Sequence, residues 1–152
     1  MNKTEAQISV RGLTVAYGDF VLLKNADFDI NKGDVFIIMG ASGGGKSSLL
    51  RVLTGLVPAA SGRILIDGVD FTAATENERA KIMQKCGILY QSGALFSSMT
   101  LAENIALPLR QYTDYSDKLI SELVSLKLAL VGLTGFEEFY PSEISGGMKK
   151  RA

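Results

Sequence analysis

At 152 residues the chain has the length of one ordinary domain, and folding at that size buries roughly 70% of the unfolded surface. Its 16 basic and 16 acidic residues give a formal charge of +0, which excludes the electrostatic footprint of bulk nucleic-acid binding, and its single cysteine, Cys86, excludes an internal disulfide. No apolar stretch approaches the roughly 18 residues of a membrane helix and the polar start Met1-Asn2-Lys3-Thr4-Glu5 is no secretory signal, so a soluble cytoplasmic chain is expected, although 47% hydrophobic residues point to surface meant for a partner.

In chain order, Ile8 to Tyr17 reads as a strand, with Ile8, Val10, Leu13 and Val15 on the apolar side and Gly12 allowing a bulge. Ala26 to Ile30 alternates apolar and charged residues, as a half-exposed antiparallel strand does, and Asn31-Lys32-Gly33-Asp34 turns the chain. The unbroken apolar run Val35-Phe36-Ile37-Ile38-Met39 predicts a strand buried on both faces of a parallel sheet. Gly40-Ala41-Ser42-Gly43-Gly44-Gly45-Lys46-Ser47 then completes the phosphate-loop pattern GxxxxGK[ST], and the apolar periodicity after it predicts a helix ending at Gly55. Strand, glycine loop and helix are the context in which backbone N–H groups converge on a polyphosphate. The helix N-terminus adds partial positive charge, Lys46 reaches the outer phosphates, and the Ser47 hydroxyl holds Mg²⁺. The candidate nucleotide contacts are therefore Gly40, Ser42, Gly43, Gly44, Gly45, Lys46, Ser47 and Ser48.

Beyond Pro58 and Ser61-Gly62, Arg63 to Ile66 reads as a strand and Asp67-Gly68 as a turn. Thr75-Glu76-Asn77-Glu78 matches a capping box and predicts a helix from about Glu76 to Lys85. Gly87-Ile88-Leu89-Tyr90 predicts a second buried strand, ending at Gln91, where an α/β fold places chemistry. From there the pattern is helical. Thr100-Leu101-Ala102-Glu103 is another capping box, its helix limited or kinked by Pro108, and Ser116 to Val131 carries Leu119, Ile120, Leu123, Leu126 and Leu130 at helical spacing. A soft boundary near Gln91 divides an α/β portion, 1–91, from a helical portion, 92–152.

Ser142-Glu143-Ile144-Ser145-Gly146-Gly147-Met148, standing after a phosphate loop, a glutamine-ending strand and a helical insert, resembles the LSGGQ signature of the ABC-transporter ATPases. The resemblance covers nearly the whole chain. It implies an α/β P-loop NTPase core of the ABC ATPase type, with an antiparallel β layer and a helical subdomain. It also implies that Tyr17 stacks on adenine and that Gln91 helps hold Mg²⁺ and the attacking water while sensing the transport partner. Ser145, Gly146 and Gly147 would close over the γ-phosphate of ATP bound to a second copy of the ATPase. Serine and glycine suit that task, because a hydroxyl and bare N–H groups can approach an anion closely.

Gln91-Ser92-Gly93-Ala94-Leu95-Phe96, Met99-Thr100-Leu101-Ala102-Glu103-Asn104 and Met148 with Lys149-Lys150-Arg151 resemble the ATPases of Mla-type lipid-transport and toluene-tolerance systems. Those ATPases bind ATP and Mg²⁺, sit beneath membrane permease subunits at the cytoplasmic face of the inner membrane, and power movement of phospholipid between bacterial membranes. The resemblance thus implies permease subunits and a second copy as partners, and no nucleic acid. A soluble ABC ATPase acting on ribosomes or nucleic acid is the alternative; such proteins usually carry two fused cassettes or long coiled-coil insertions, and the chain shows neither a repeat nor heptads. A standalone module that binds nucleotide without hydrolysing it is a third reading.

In the family the Walker B aspartate, the glutamate general base, the D-loop and the switch histidine follow the signature, and these 152 residues contain no histidine. The expectation is a portion of a longer ATPase, with the C-terminal part of the core missing, no catalytic residue of its own, and nucleotide binding at best. Val35 to Met39 should then expose unpaired edges and apolar faces, which a second copy could cover by segment exchange.

Overall fold

β1 (Ile8–Tyr17) runs antiparallel to β2 (Phe20–Ile30) on one side and to β3 (Ser61–Ile66) on the other, and β4 (Val69–Asp70) completes a four-stranded sheet of order β2-β1-β3-β4. The computed structural model describes residues 6–90 and 94–152. Gly12, at φ 56°, is the bulge that the sequence suggests. The register of β1 shifts there against both neighbours, and the Gly12 N–H donates to Asp27 Oδ1 at 2.8 Å. The shift matters because strand side chains alternate: without it, Val10 and Leu13 would face opposite sides. With it, Val10, Leu13 and Val15 all enter one core with Ile64 and Ile66 of β3, Phe71, and Leu49 and Val52 of α1 (Lys46–Leu53). The β3–β4 hairpin turns on Asp67 and Gly68, both left-handed at φ 48° and 78°, the conformation of a type I′ turn.

α2 (Glu76–Met83) begins with a full capping box: Thr75 Oγ1 accepts from the Glu78 N–H, and the Thr75 N–H donates to Glu78 Oε2 at 2.8 Å. Arg79 ties this helix to the sheet layer by donating to the Phe71 carbonyl at 2.9 Å, with its guanidinium 5.6 Å from the Phe71 ring centroid. These elements belong to one compact unit, Met1–Gly87; the rest form a second, Ile88–Ala152.

In the second unit α3 (Leu101–Tyr112) is capped as predicted by Thr100 and Glu103, and it continues four residues past Pro108. Asn104 fastens the preceding loop to it: its Oδ1 accepts from the Phe96 N–H at 2.7 Å, and its Nδ2 reaches the carbonyls of Phe96, Met99 and Thr100 at 2.8–3.1 Å. α4 (Asp117–Leu130) starts at the Ser116 cap and ends at left-handed Gly132, where the Leu133 N–H closes back on the Leu128 carbonyl at 2.8 Å. The second core is formed by Leu101 and Ala106 of α3, Ile120, Val124 and Leu128 of α4, and Leu133 and Ile144. Among the described residues no helix is long and apolar enough to cross a membrane.

Three expectations are corrected. Val35 to Met39 is not a strand and is not buried: Val35 is 89% and Met39 85% exposed, while Ile38 packs on the core and Phe36 stacks on Phe28 at 5.1 Å between centroids. Gly87 to Tyr90 likewise forms no strand, and Leu89 is 87% exposed. An apolar run becomes a strand only when a neighbour accepts its ladder, and neither segment has one among the described residues. The apolar exposure expected of Val35 to Met39 is observed. On α4 the buried row is Ile120, Val124 and Leu128 at a spacing of four, whereas Leu119, Leu126 and Leu130 face solvent. Apolar residues cover so much of this helix that periodicity alone does not single out the face that packs.

Two tests of stability follow. Asn104→Ala removes the bonds that hold residues 96–100 to α3 and should lower the unfolding free energy by about 2 kcal/mol, read by denaturant titration. The Glu78 carboxyl is held below its ordinary 4.5, first by the Thr75 backbone N–H and then by the Thr75 hydroxyl. Its contribution is therefore complete above that value and is lost as pH falls through the lowered one; Glu78→Gln, which keeps an acceptor but no charge, should flatten the fall in denaturation midpoint below about pH 5.

Candidate nucleotide site

The loop from Gly40 to Gly45 is shaped by glycines that no other residue replaces without cost. Gly43 and Gly45 are left-handed, at φ 81° and 79°, where a Cβ costs roughly 1–2 kcal/mol. A Cβ on Gly44 would stand 3.0 Å from the Ala41 carbonyl, which the Gly44 N–H meets in a tight turn of 3.1 Å. Gly45 caps α1 with no side-chain hydrogen bond, so no side chain competes for the N–H groups of the first turn. Lys46 is the first helical residue, and its ammonium donates to the Gly40 carbonyl at 2.8 Å and the Ala41 carbonyl at 2.6 Å. One full positive charge thus lies against the loop, next to the positive end of the helix. Leu49 and Val52, buried one and two turns on, clamp α1 to the core.

Ser47 and Ser42 are exposed, and Ser48 is half-buried. The Ser47 hydroxyl, free to face solvent in the first turn of α1, is a hard oxygen donor of the kind Mg²⁺ accepts alongside phosphate and water oxygens. Tyr17, the last residue of β1, is 44% exposed, and its hydroxyl donates to Ser48 Oγ at 3.3 Å. That bond, followed by the influence of Arg51, holds the phenol below its ordinary range. The ring predicted to receive adenine is therefore attached to the helix that carries the phosphate loop.

A residue that sequence reading missed, Leu22, lies against Gly45, at 3.6 Å from where a Cβ on that glycine would be. No local pattern marks it, because the contact joins β2 to the loop across more than 20 residues of chain.

The signature residues belong to the second unit. Ser145 caps the short helix α5 (Gly146–Arg151), its Oγ accepting from the Met148 N–H at 3.3 Å. Buried Ile144 precedes it, and Arg151 donates to the Val131 carbonyl at 2.7 Å, fastening α5 to the end of α4. Gly146 is helical with nothing within 4 Å of an added Cβ, and Gly147 meets only its neighbour Ser145 Oγ at 4.0 Å. Gln91 lies outside the described residues. The structure thus brings Tyr17 to Ser48, in the helix that follows the loop, in one unit, and Ser145, Gly146 and Gly147 together in the other.

The ABC transporter family model matches residues 23–152, from β2 through the phosphate loop to the end of α5. The chain belongs to that family. It is 45% identical over 145 residues to the protein of Mycobacterium leprae named "Probable ribonucleotide transport ATP-binding protein mkl", covering 95% of this chain and 42% of that one. It is 40% identical over 145 residues to the intermembrane phospholipid transport system ATP-binding protein MlaF of Haemophilus influenzae, covering 95% and 55%. The chain therefore spans about half the length of the curated relatives it matches. Among solved structures it is similar to the dimeric ATP-binding cassette MJ0796 in a post-hydrolysis state bound to ADP and Pi, with TM-score 0.86 and 28% identity over 95% of this chain and 66% of that one. The fold is accordingly the α/β P-loop cassette of ABC ATPases, as the signature resemblance implies.

The two sets of glycines should respond differently to a methyl group. Gly45→Ala should lower stability by about 1–2 kcal/mol, whereas Gly146→Ala should leave it within about 1 kcal/mol of the parent or raise it, both read by urea denaturation.

Proposed function

We propose that this chain is the nucleotide-binding part of the ATP-binding subunit of an ABC transporter, and that the intact subunit couples ATP binding and hydrolysis to transport. The observation that carries the reading is the loop Gly40 to Ser47, whose left-handed glycines lead into an uncapped helix start beside the Lys46 ammonium. That arrangement offers an anion backbone donors, a helix dipole and a full charge at one point. In this reading Gly40, Ser42, Gly43, Gly44, Gly45 and Lys46 hold the phosphates of ATP, with Ser48 completing the first turn. Ser47 and Gln91 serve Mg²⁺, which when bound neutralises charge on the outer phosphates. Tyr17 stacks on adenine. Ser145, Gly146 and Gly147 serve the ATP of a second copy.

The MlaF relatives are named as ATP-binding proteins of a transport system; in this reading the partner is a membrane permease and the place of action is the cytoplasmic face of the membrane. We assign phospholipid as cargo, on the transport system for which the MlaF relatives are named and on the segments from Gln91 to Phe96 and Met99 to Asn104 that resemble Mla-type ATPases. Cargo is the least direct step, because an ATPase subunit acts on its permease and not on what the permease carries.

Lys46→Ala tests the loop. ATP titration in Mg²⁺ should show an affinity weakened about 10- to 100-fold, the loss of a charge-assisted contact to phosphate. An unchanged affinity would remove the loop from the site.

A further inference from the structure

We propose that Phe20 is a second aromatic contact for the nucleobase, beside Tyr17, and that base affinity in this chain is set by the pair. The proposal rests on the assignment of Gly40 to Ser47 as the phosphate site. It starts from the register of the β1–β2 hairpin, where Tyr17 pairs directly with Phe20 across the Gly18-Asp19 turn. Residues directly opposite in an antiparallel pair project from the same face, with Cβ atoms about 5 Å apart. Tyr17 is directed to the phosphate-loop helix by its bond to Ser48, so Phe20 shares the face that looks toward that helix.

β2 continues from this face to the loop. The register between β1 and β2 slips by one residue beyond Val21, and Leu22, at the slip, lies 3.6 Å from where a Cβ on Gly45 would be. Phe20 is therefore separated by one residue from a side chain that lies against the loop. Yet Phe20 belongs to neither hydrophobic core and is 67% exposed, more than Tyr17. A solvated phenylalanine at a hairpin tip adds nothing to the interior; two exposed rings on one face, beside an anion site, form a platform for a planar aromatic base. Tyr17 is held in place through its hydroxyl, whereas Phe20 has no polar atom with which to be fixed and is free to close on the base after it has docked. The pair reads area and π-character and makes no hydrogen bond to the base edge. Stacking of this kind is tolerant of base identity.

The chain contains no tryptophan, so Phe20→Trp introduces a single tryptophan at the proposed contact, excited selectively beyond the absorption of the five tyrosines. The fluorescence of this variant should be quenched on addition of ATP with Mg²⁺ and unaffected by inorganic tripolyphosphate, which has phosphates but no base. Calorimetric titration should show Phe20→Ala binding ATP about 5- to 20-fold more weakly than the parent, with tripolyphosphate affinity unchanged and Phe20→Leu intermediate. ATP binding to Phe20→Trp without quenching, or an ATP affinity of Phe20→Ala equal to the parent's, would overturn the proposal. So would equal loss of ATP and tripolyphosphate affinity in Phe20→Ala, which would mark a general disturbance of the hairpin. Failure of the underlying assignment has a different signature: Lys46→Ala would bind both compounds as the parent does, or the parent would bind neither.

Discussion

The left-handed backbone at Gly43 and Gly45 is the constraint on which the site depends. With φ near 80° at both, the chain delivers Lys46 directly into α1 and leaves the first turn of that helix without a side-chain cap. The geometry is local, but its rigidity is borrowed. α1 has eight residues, too short to persist alone, and it is held by Leu49 and Val52 in the core that Val10, Leu13 and Val15 share. That core in turn needs the Gly12 bulge, which brings residues of opposite strand phase to one side. A chain of dependence thus runs from a bulge in β1 to the phosphate loop. Because Tyr17 ends the same strand and bonds to Ser48, the proposed base contact and the phosphate-loop helix rest on a common support.

What was legible in the sequence follows the range of the forces involved. Both capping boxes, Thr75 with Glu78 and Thr100 with Glu103, close within four residues and were readable as written. The same holds for the Asp67-Gly68 turn and the Gly12 bulge, each a matter of one or two backbone angles. Val35 to Met39 and Gly87 to Tyr90 have equally clear strand composition, but composition does not supply a hydrogen-bonding neighbour, and the described residues provide none. The buried row of α4 was illegible for a related reason. Leu119, Leu126 and Leu130 are as apolar as Ile120, Val124 and Leu128, and only contact with α3 and the Leu133–Ile144 region decides between them.

The candidate site was legible through its glycine and lysine spacing, which is why Gly40 to Ser47 could be named before any geometry. The elements around it were not. Leu22 of β2 lies 3.6 Å from where a Cβ on Gly45 would be, and it stands in no pattern that announces a role.

The glycines of the two motifs look alike as letters and differ in physical cause. Gly43 and Gly45 are required by the chain itself, since their angles are costly for any residue with a Cβ. Gly146 and Gly147 have no positive φ and open space where a side chain would be, so the fold would accept alanine at both and gain helix propensity of up to about 1 kcal/mol each. A residue that lowers the stability of its own helix and relieves no internal clash has no reason inside this chain. In the proposed reading its reason lies in what must approach, since a bare backbone beside the Ser145 hydroxyl leaves the shortest path for an anion. The signature assignment therefore gains support from what packing does not require, as the phosphate loop gains it from what backbone geometry does.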